Sequence, residues 1–340
     1  MWTPGRGTRL WRGALAGLVI AALSAPVSAA ARQAVPAPAP AMLPVLSTST
    51  LKTRYAANRA NILQAARMAD KGGYHRRAAA LRAMAGSTRT FLSFDARGEG
   101  RAVEVLGDLA TARRISVLVP GSDTTLDTYD AHTPKPHARL GWAARSLKEQ
   151  IRRLDPAAKV AVVAWLGYAP PRLTSTDAVT TGRAEDGARA LRAFVASVRR
   201  ANAAAQVSLL CHSYGSVVCG RAAAGLAVAD IAMFGSPGAG VETAAGLGTA
   251  ARVWAGRGAR DWIGGVPHLS LPVLGTTIGL GADPVSGGFG ARPFAAGDGG
   301  HGGHGGHGGH GGHGDYLAPG SASVANLARI ALGHDREVTR

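Results

Sequence analysis

Alternating strand-like and helix-like stretches predict an α/β chain with a mostly parallel sheet and helices on both faces. Short apolar, β-branched runs recur at 115–119, 159–165, 207–211, 230–234 and 252–255. Stretches of helical length and periodicity separate several of them, at 140–154, 185–202 and 213–227. Parallel pairing needs such crossovers, and their handedness brings the loop after each strand to one edge of the sheet, where ligands bind. The third observation is local: at 207–218 a strand-like run enters a corner of small residues and leaves it as a helix.

The chain begins with a different kind of segment. Arg6, Arg9 and Arg12 precede an apolar run from Gly13 to Leu23, and small residues continue through Ala31. This pattern predicts a secretory signal peptide over 1–31, with export to the exterior or the cell envelope. The apolar run is shorter than the ~20 residues a membrane span needs, although an uncleaved anchor is the alternative. Pro36, Pro38 and Pro40 alternate with small residues and predict an extended Pro/Ala-rich linker over 32–46 with no core to bury. One α/β domain is expected over 47–340, containing a Gly/His-rich low-complexity loop at 297–314.

Lys and Arg number 38 against 21 Asp and Glu, a formal +17. Arginines such as Arg189, Arg192, Arg199 and Arg200 are spread along a helical stretch rather than gathered in a stripe interleaved with aromatics. No nucleic-acid partner is therefore expected, while the charge is compatible with peripheral contact to an anionic envelope surface. Cys211 and Cys219 lie at the end of a strand and in the second turn of the following helix. In an exported chain they either pair or remain as small buried thiols.

Leu51, Tyr55, Ile62, Ala66, Leu81 and Met84 recur at near-helical spacings, and Gly72-Gly73 divides the stretch into two helices. Residues 91–94 and 102–106 flank the turn-rich 95–100 and predict a β-hairpin at the sheet edge. The strand at 115–119 runs into Pro120-Gly121-Ser122-Asp123, and an amphipathic helix at 323–332 closes the chain.

The corner at 211–215 reads Cys-His-Ser-Tyr-Gly. A serine on a sharp strand-to-helix turn needs small neighbours two positions before and after it, because strand and helix fold back on each other there. Cys211 and Gly215 meet that need, which makes Ser213 the candidate nucleophile and the Tyr214 backbone N–H an oxyanion donor. A bare small-residue turn is the alternative, and the strand before and helix after favour the nucleophile. The loop Gly121-Ser122 should lie beside Ser213 and supply the second donor, the Ser122 N–H.

In this arrangement a general base and its carboxylate follow the nucleophile in chain order. Among Asp261, Asp283 and Asp315, Asp261 is chosen because it follows the strand at 252–255, with Asp283 in reserve; Asp230 precedes its strand and belongs at the wrong edge. His301, His304, His307, His310 and His313 lie in a Gly-Gly-His tract. His313 stands next to Asp315-Tyr316-Leu317 and before the last helix, so it is the candidate base. His268 and His334 are expected at the surface or in turns, and His212 is expected to be structural. His301, His304, His307 and His310 are the only metal candidates, and a flexible Gly tract with no carboxylate or cysteine partner fixes no closed site.

With those residues named, the chain resembles a family of secreted actinobacterial α/β-hydrolase domains of unknown function. The matching pieces are 91–95, 100–109, 117–127, His212-Ser213-Tyr214-Gly215-Ser216, Gly235-Ser236-Pro237-Gly238, Asp283-Pro284 with Phe289-Gly290, and Gly312-His313 with Asp315-Tyr316-Leu317. They run from about Tyr55 to Gly333. The resemblance implies an α/β-hydrolase fold with Ser213 as nucleophile, Asp261 as acid and His313 as base. Cys211 stands where the family carries glycine, and the tract before His313 is expanded, which keeps His310 as a reserve base.

The expected activity is a cofactor-independent serine hydrolase acting on a small-molecule or lipid carboxylic ester through an acyl-enzyme. Two rivals come from other classes: a non-catalytic binding protein on the same fold, and a His-rich metal-binding envelope protein.

Overall fold

The computed structural model describes residues 35–266, 271–273, 276–297 and 311–340. The expected signal peptide, His268 and the tract histidines His301, His304, His307 and His310 lie outside the described residues.

An eight-stranded sheet has the order β1-β2-β4-β3-β5-β6-β7-β10. Its strands are β1 (Thr90–Asp95), β2 (Arg101–Leu106), β3 (Arg114–Val119), β4 (Val160–Leu166), β5 (Gln206–His212), β6 (Asp230–Phe234), β7 (Arg252–Gly256) and β10 (Arg292–Pro293). β2 is antiparallel to both β1 and β4, and every other pairing is parallel. The expected hairpin thus forms the edge of a mostly parallel sheet. A separate antiparallel pair joins β8 (Leu271–Val273) to β9 (Thr276–Ile278), a pairing not expected from the sequence.

The helices are α1 (Leu51–Lys71), α2 (His75–Met84), α3 (Leu140–Leu154), α4 (Gly182–Ala201), α5 (Gly215–Ala222) and α6 (Ala322–Leu332). Strand alternation divides the core into two layers. Val117, Val119 and Leu209 face Leu191, Val195 and Val217 of α4 and α5. Leu118, Leu210 and Ala232 face Leu147, Ile151, Leu327 and Ile330 of α3 and α6. All seven residues of β4 are buried, the continuous apolar run of a strand covered on both faces. Helix α5 stops well before 227, because the chain turns at Gly225, where φ is +67°.

The Pro/Ala-rich stretch is extended, yet from Val35 onward it is not a free spacer. Asn61 Nδ2 donates to the Ala39 carbonyl at 2.8 Å, the Arg54 guanidinium donates to the Pro44 carbonyl, and Leu46 is buried. Proline removes a donor but leaves its carbonyl, so α1 can hold this segment through acceptors alone. Asp230 is buried at the start of β6, accepting from Arg252, Ser208 and Trp254, at the opposite edge from Ser213.

Candidate active site

Ser213 follows β5 directly with a φ of +53°; besides glycines, only Asp123 shares that region among the described residues. A non-glycine residue in this conformation is strained, and the neighbouring packing holds it there. A Cβ at Gly215 would lie 2.6 Å from the Val119 carbonyl oxygen and 2.7 Å from that of Pro120. A Cβ at Gly121 would lie 2.5 Å from the Ser213 Cβ. Helix α5 and the loop after β3 close on the serine only because both positions are glycine. On the other side of the elbow, Cys211 and Cys219 form a disulfide that ties the end of β5 to α5, which decides between the two states left open for them. Both residues are fully buried.

His313 stands over this corner. Its Nε2 is 3.0 Å from Ser213 Oγ, and its Nδ1 is 2.9 and 3.1 Å from the two Asp261 oxygens. A carboxylate only accepts, so Nδ1 carries the proton and Nε2 is left to accept from the serine hydroxyl. Asp261 follows β7 and caps the 3-10 turn Trp262–Gly265 by accepting from the Ile263 N–H at 2.9 Å. It also accepts from the Tyr316 hydroxyl, which in turn accepts from the Gly258 N–H at 3.1 Å. Burial works to raise the Asp261 pKa, but the hydrogen bonds from His313 and Tyr316 outweigh it and hold the carboxyl below its ordinary value.

Three anchors fix the segment that carries His313. His212 Nε2 donates to the His313 carbonyl at 2.9 Å. Asp315 accepts from Lys135 at 2.9 Å and His137 at 3.2 Å, residues of the strap between β3 and α3. Burial opposes ionisation of Asp315, yet these partners bring its pKa down to about 2. Finally, Ala259 N–H donates to the Gly297 carbonyl and Arg260 N–H to that of Gly311, each at 3.2 Å. His212 itself is pushed down to about 3 by burial, with His313 adding to the effect, so it is a neutral donor here.

A cavity of about 210 Å³ opens onto Ser213 and His313. Ser122 lines it, whereas the Tyr214 side chain turns into the core and its hydroxyl donates to the Thr180 carbonyl at 2.6 Å. Asp283 is engaged by Arg257, and Asp315 by the strap, so neither faces His313 as Asp261 does. His334 lies 3.4 Å from Glu337. The Tyr316 hydroxyl on Asp261 and the His212 donor to the His313 carbonyl were missed in sequence. The Asp-Tyr-Leu string beside His313 was the signal for the first. Among the described residues no group of three or more His, Cys, Asp or Glu side chains is placed to hold a metal ion.

The sheet order, the elbow after β5 and the loops gathered at its end define an α/β hydrolase. Residues 95–271 match a family model described as alpha/beta hydrolase, and the chain belongs to that family. An uncharacterized protein of Mycobacterium tuberculosis is 30% identical over 259 residues, a match covering 70% of this chain and 38% of that protein. The chain therefore spans well under half the length of this curated relative. Among solved structures, an alpha-beta serine hydrolase homologue from Coxiella burnetii is 11% identical, covering 69% of this chain and 92% of that one, with a TM-score of 0.34. An α/β serine hydrolase without a lid from Xanthomonas campestris is 17% identical, covering 52% and 74%, with a TM-score of 0.33.

Proposed function

We propose that this chain is an exported serine hydrolase that cleaves carboxylic esters. The observation that carries this is the line from Ser213 Oγ to His313 Nε2 at 3.0 Å and from His313 Nδ1 to Asp261 at 2.9 Å, built on a serine held at positive φ. Ser213 attacks the ester carbonyl while its proton passes to His313 Nε2, and Asp261 stabilises the imidazolium that forms. The backbone N–H groups of Tyr214 and Ser122 hold the oxyanion. His313 then protonates the departing alkoxide, and water, deprotonated by the same nitrogen, releases the acid from the acyl-enzyme. Export is supported by the basic and apolar pattern of 1–31 together with the disulfide, since such bonds persist in oxidising compartments.

Labelling of the purified mature protein with a fluorophosphonate, read by intact mass, tests the proposal. Wild type should gain one adduct, and Ser213→Ala and His313→Ala should gain none. A folded wild type that stays unlabelled would remove the catalytic reading and leave ligand binding as the function to test.

A further inference from the structure

Two large apolar side chains near Ser213 are left in water, one lining the cavity and the other set against His313, which lines it. Trp262 is 52% exposed, and its indole lies against the His313 imidazole with ring centroids 4.8 Å apart. Leu173 is also 52% exposed and lines the cavity. Trp262 lies on the loop after β7 and Leu173 on the loop after β4, so the two flank β5 and its serine on opposite sides in the strand order.

Both are held in place. Trp262 opens the 3-10 turn capped by Asp261. The Leu173 N–H donates to Asp123 Oδ1 at 3.3 Å, and the Asp123 N–H donates to the Pro171 carbonyl at 3.0 Å, which fastens this loop to the one bearing Ser122. A ligand that covers side chains of this size gains free energy by removing their apolar area from water. The cavity is small, about 210 Å³, whereas pockets for drug-sized ligands measure roughly 300–1,000 Å³. A long acyl chain starting at the Ser213 carbonyl position must therefore leave the cavity and run over its edge.

We propose that Trp262 and Leu173 form an apolar rim that seats the extended hydrocarbon chain of the substrate, so that the ester cleaved at Ser213 is a lipid ester. Thr124, Thr128 and Arg139 also line the cavity and suit a polar headgroup on the alcohol side. This inference rests on the hydrolase function proposed above.

Paired fluorophosphonates bearing an ethyl or a decyl chain separate the two claims, because their labelling rates report approach to Ser213 without requiring turnover. Wild type should label about tenfold faster with the decyl probe. Trp262→Ala and Leu173→Ser should each bring the decyl-to-ethyl ratio back toward one, whatever value the ethyl rate takes, and Trp262→Phe should restore most of it. Leu173→Ser matters most, since it leaves the Trp262 ring against His313 in place. An equal ratio in wild type, or a preference that survives both variants, overturns the rim while leaving the hydrolase intact. Failure of both probes to label folded wild type overturns the hydrolase function and the rim with it.

Discussion

His212 Nε2 donates to the backbone carbonyl of His313 at 2.9 Å, so one imidazole fixes the main chain that carries the other. Burial lowers the His212 pKa from 6.5 to about 3, so folding stabilises its neutral form. The unfolded chain binds the proton that the folded chain refuses, so this contribution is complete above pH 6.5 and is lost as pH falls toward 3. A difference of one bound proton caps the slope at about 1.4 kcal/mol per pH unit, and because the ring borders the cavity, screening narrows the pH window over which it acts. Urea unfolding of wild type and His212→Gln between pH 7 and pH 4 should show a shallower pH dependence in the variant. Parallel curves would exclude this role.

Asp261 holds the tautomer of His313, and Tyr316 helps to keep Asp261 ionised. Asp261→Asn should lower kcat by about a thousandfold or more, because an amide can present its N–H to Nδ1 and reverse the tautomer. Tyr316→Phe should cost about tenfold in kcat with little change in KM, as one charge-assisted hydrogen bond is lost. Steady-state kinetics on a soluble ester measures both.

The two glycines at the elbow separate stability from reactivity. Gly215→Ala sets a methyl group against two backbone carbonyls, Val119 and Pro120, and should cost about 3 kcal/mol of folding stability. Gly121→Ala meets the Ser213 side chain instead, and its main effect should be on fluorophosphonate labelling rate. Thermal melts set beside labelling rates distinguish the two.

The disulfide closes a short loop, with a sequence separation of 8. Replacing both cysteines by alanine should lower stability by about 2 kcal/mol, chiefly through the unfolded chain. Because both residues are fully buried, a mild reductant should leave the folded protein unchanged and act only once unfolding begins. Thiol titration along a urea gradient follows this directly.

The sharp turn at Ser213 was legible in sequence because the elbow is a local steric demand: Cys211, Ser213 and Gly215 satisfy it within five residues. The β-hairpin and the central strands were legible for the same reason, as apolar runs bounded by turn residues. The contacts that missed recognition are long-range. His212 meets His313 across 101 positions, and Tyr316 meets Asp261 across 55. No periodicity encodes such pairs. The docking of residues 35–46 was not legible because alternating prolines and small residues read as an extended linker, and only the folded chain brings the Asn61 and Arg54 donors to its carbonyls. Pairing of Cys211 with Cys219 depended on a Cα separation, 6.5 Å here, that spacing alone does not fix.

Gly297 and Gly311, which flank the Gly-Gly-His units ending at His310 in sequence, are hydrogen-bonded to adjacent residues, Ala259 and Arg260, so the two flanks are held side by side. Doubling the length of a loop between fixed ends costs only about 0.6 kcal/mol. Whole repeat units can thus be gained or lost in the gene without moving His313. If Ser213 and His313 act as proposed, variants with one Gly-Gly-His unit removed or added should share one kcat, which steady-state kinetics on a soluble ester measures.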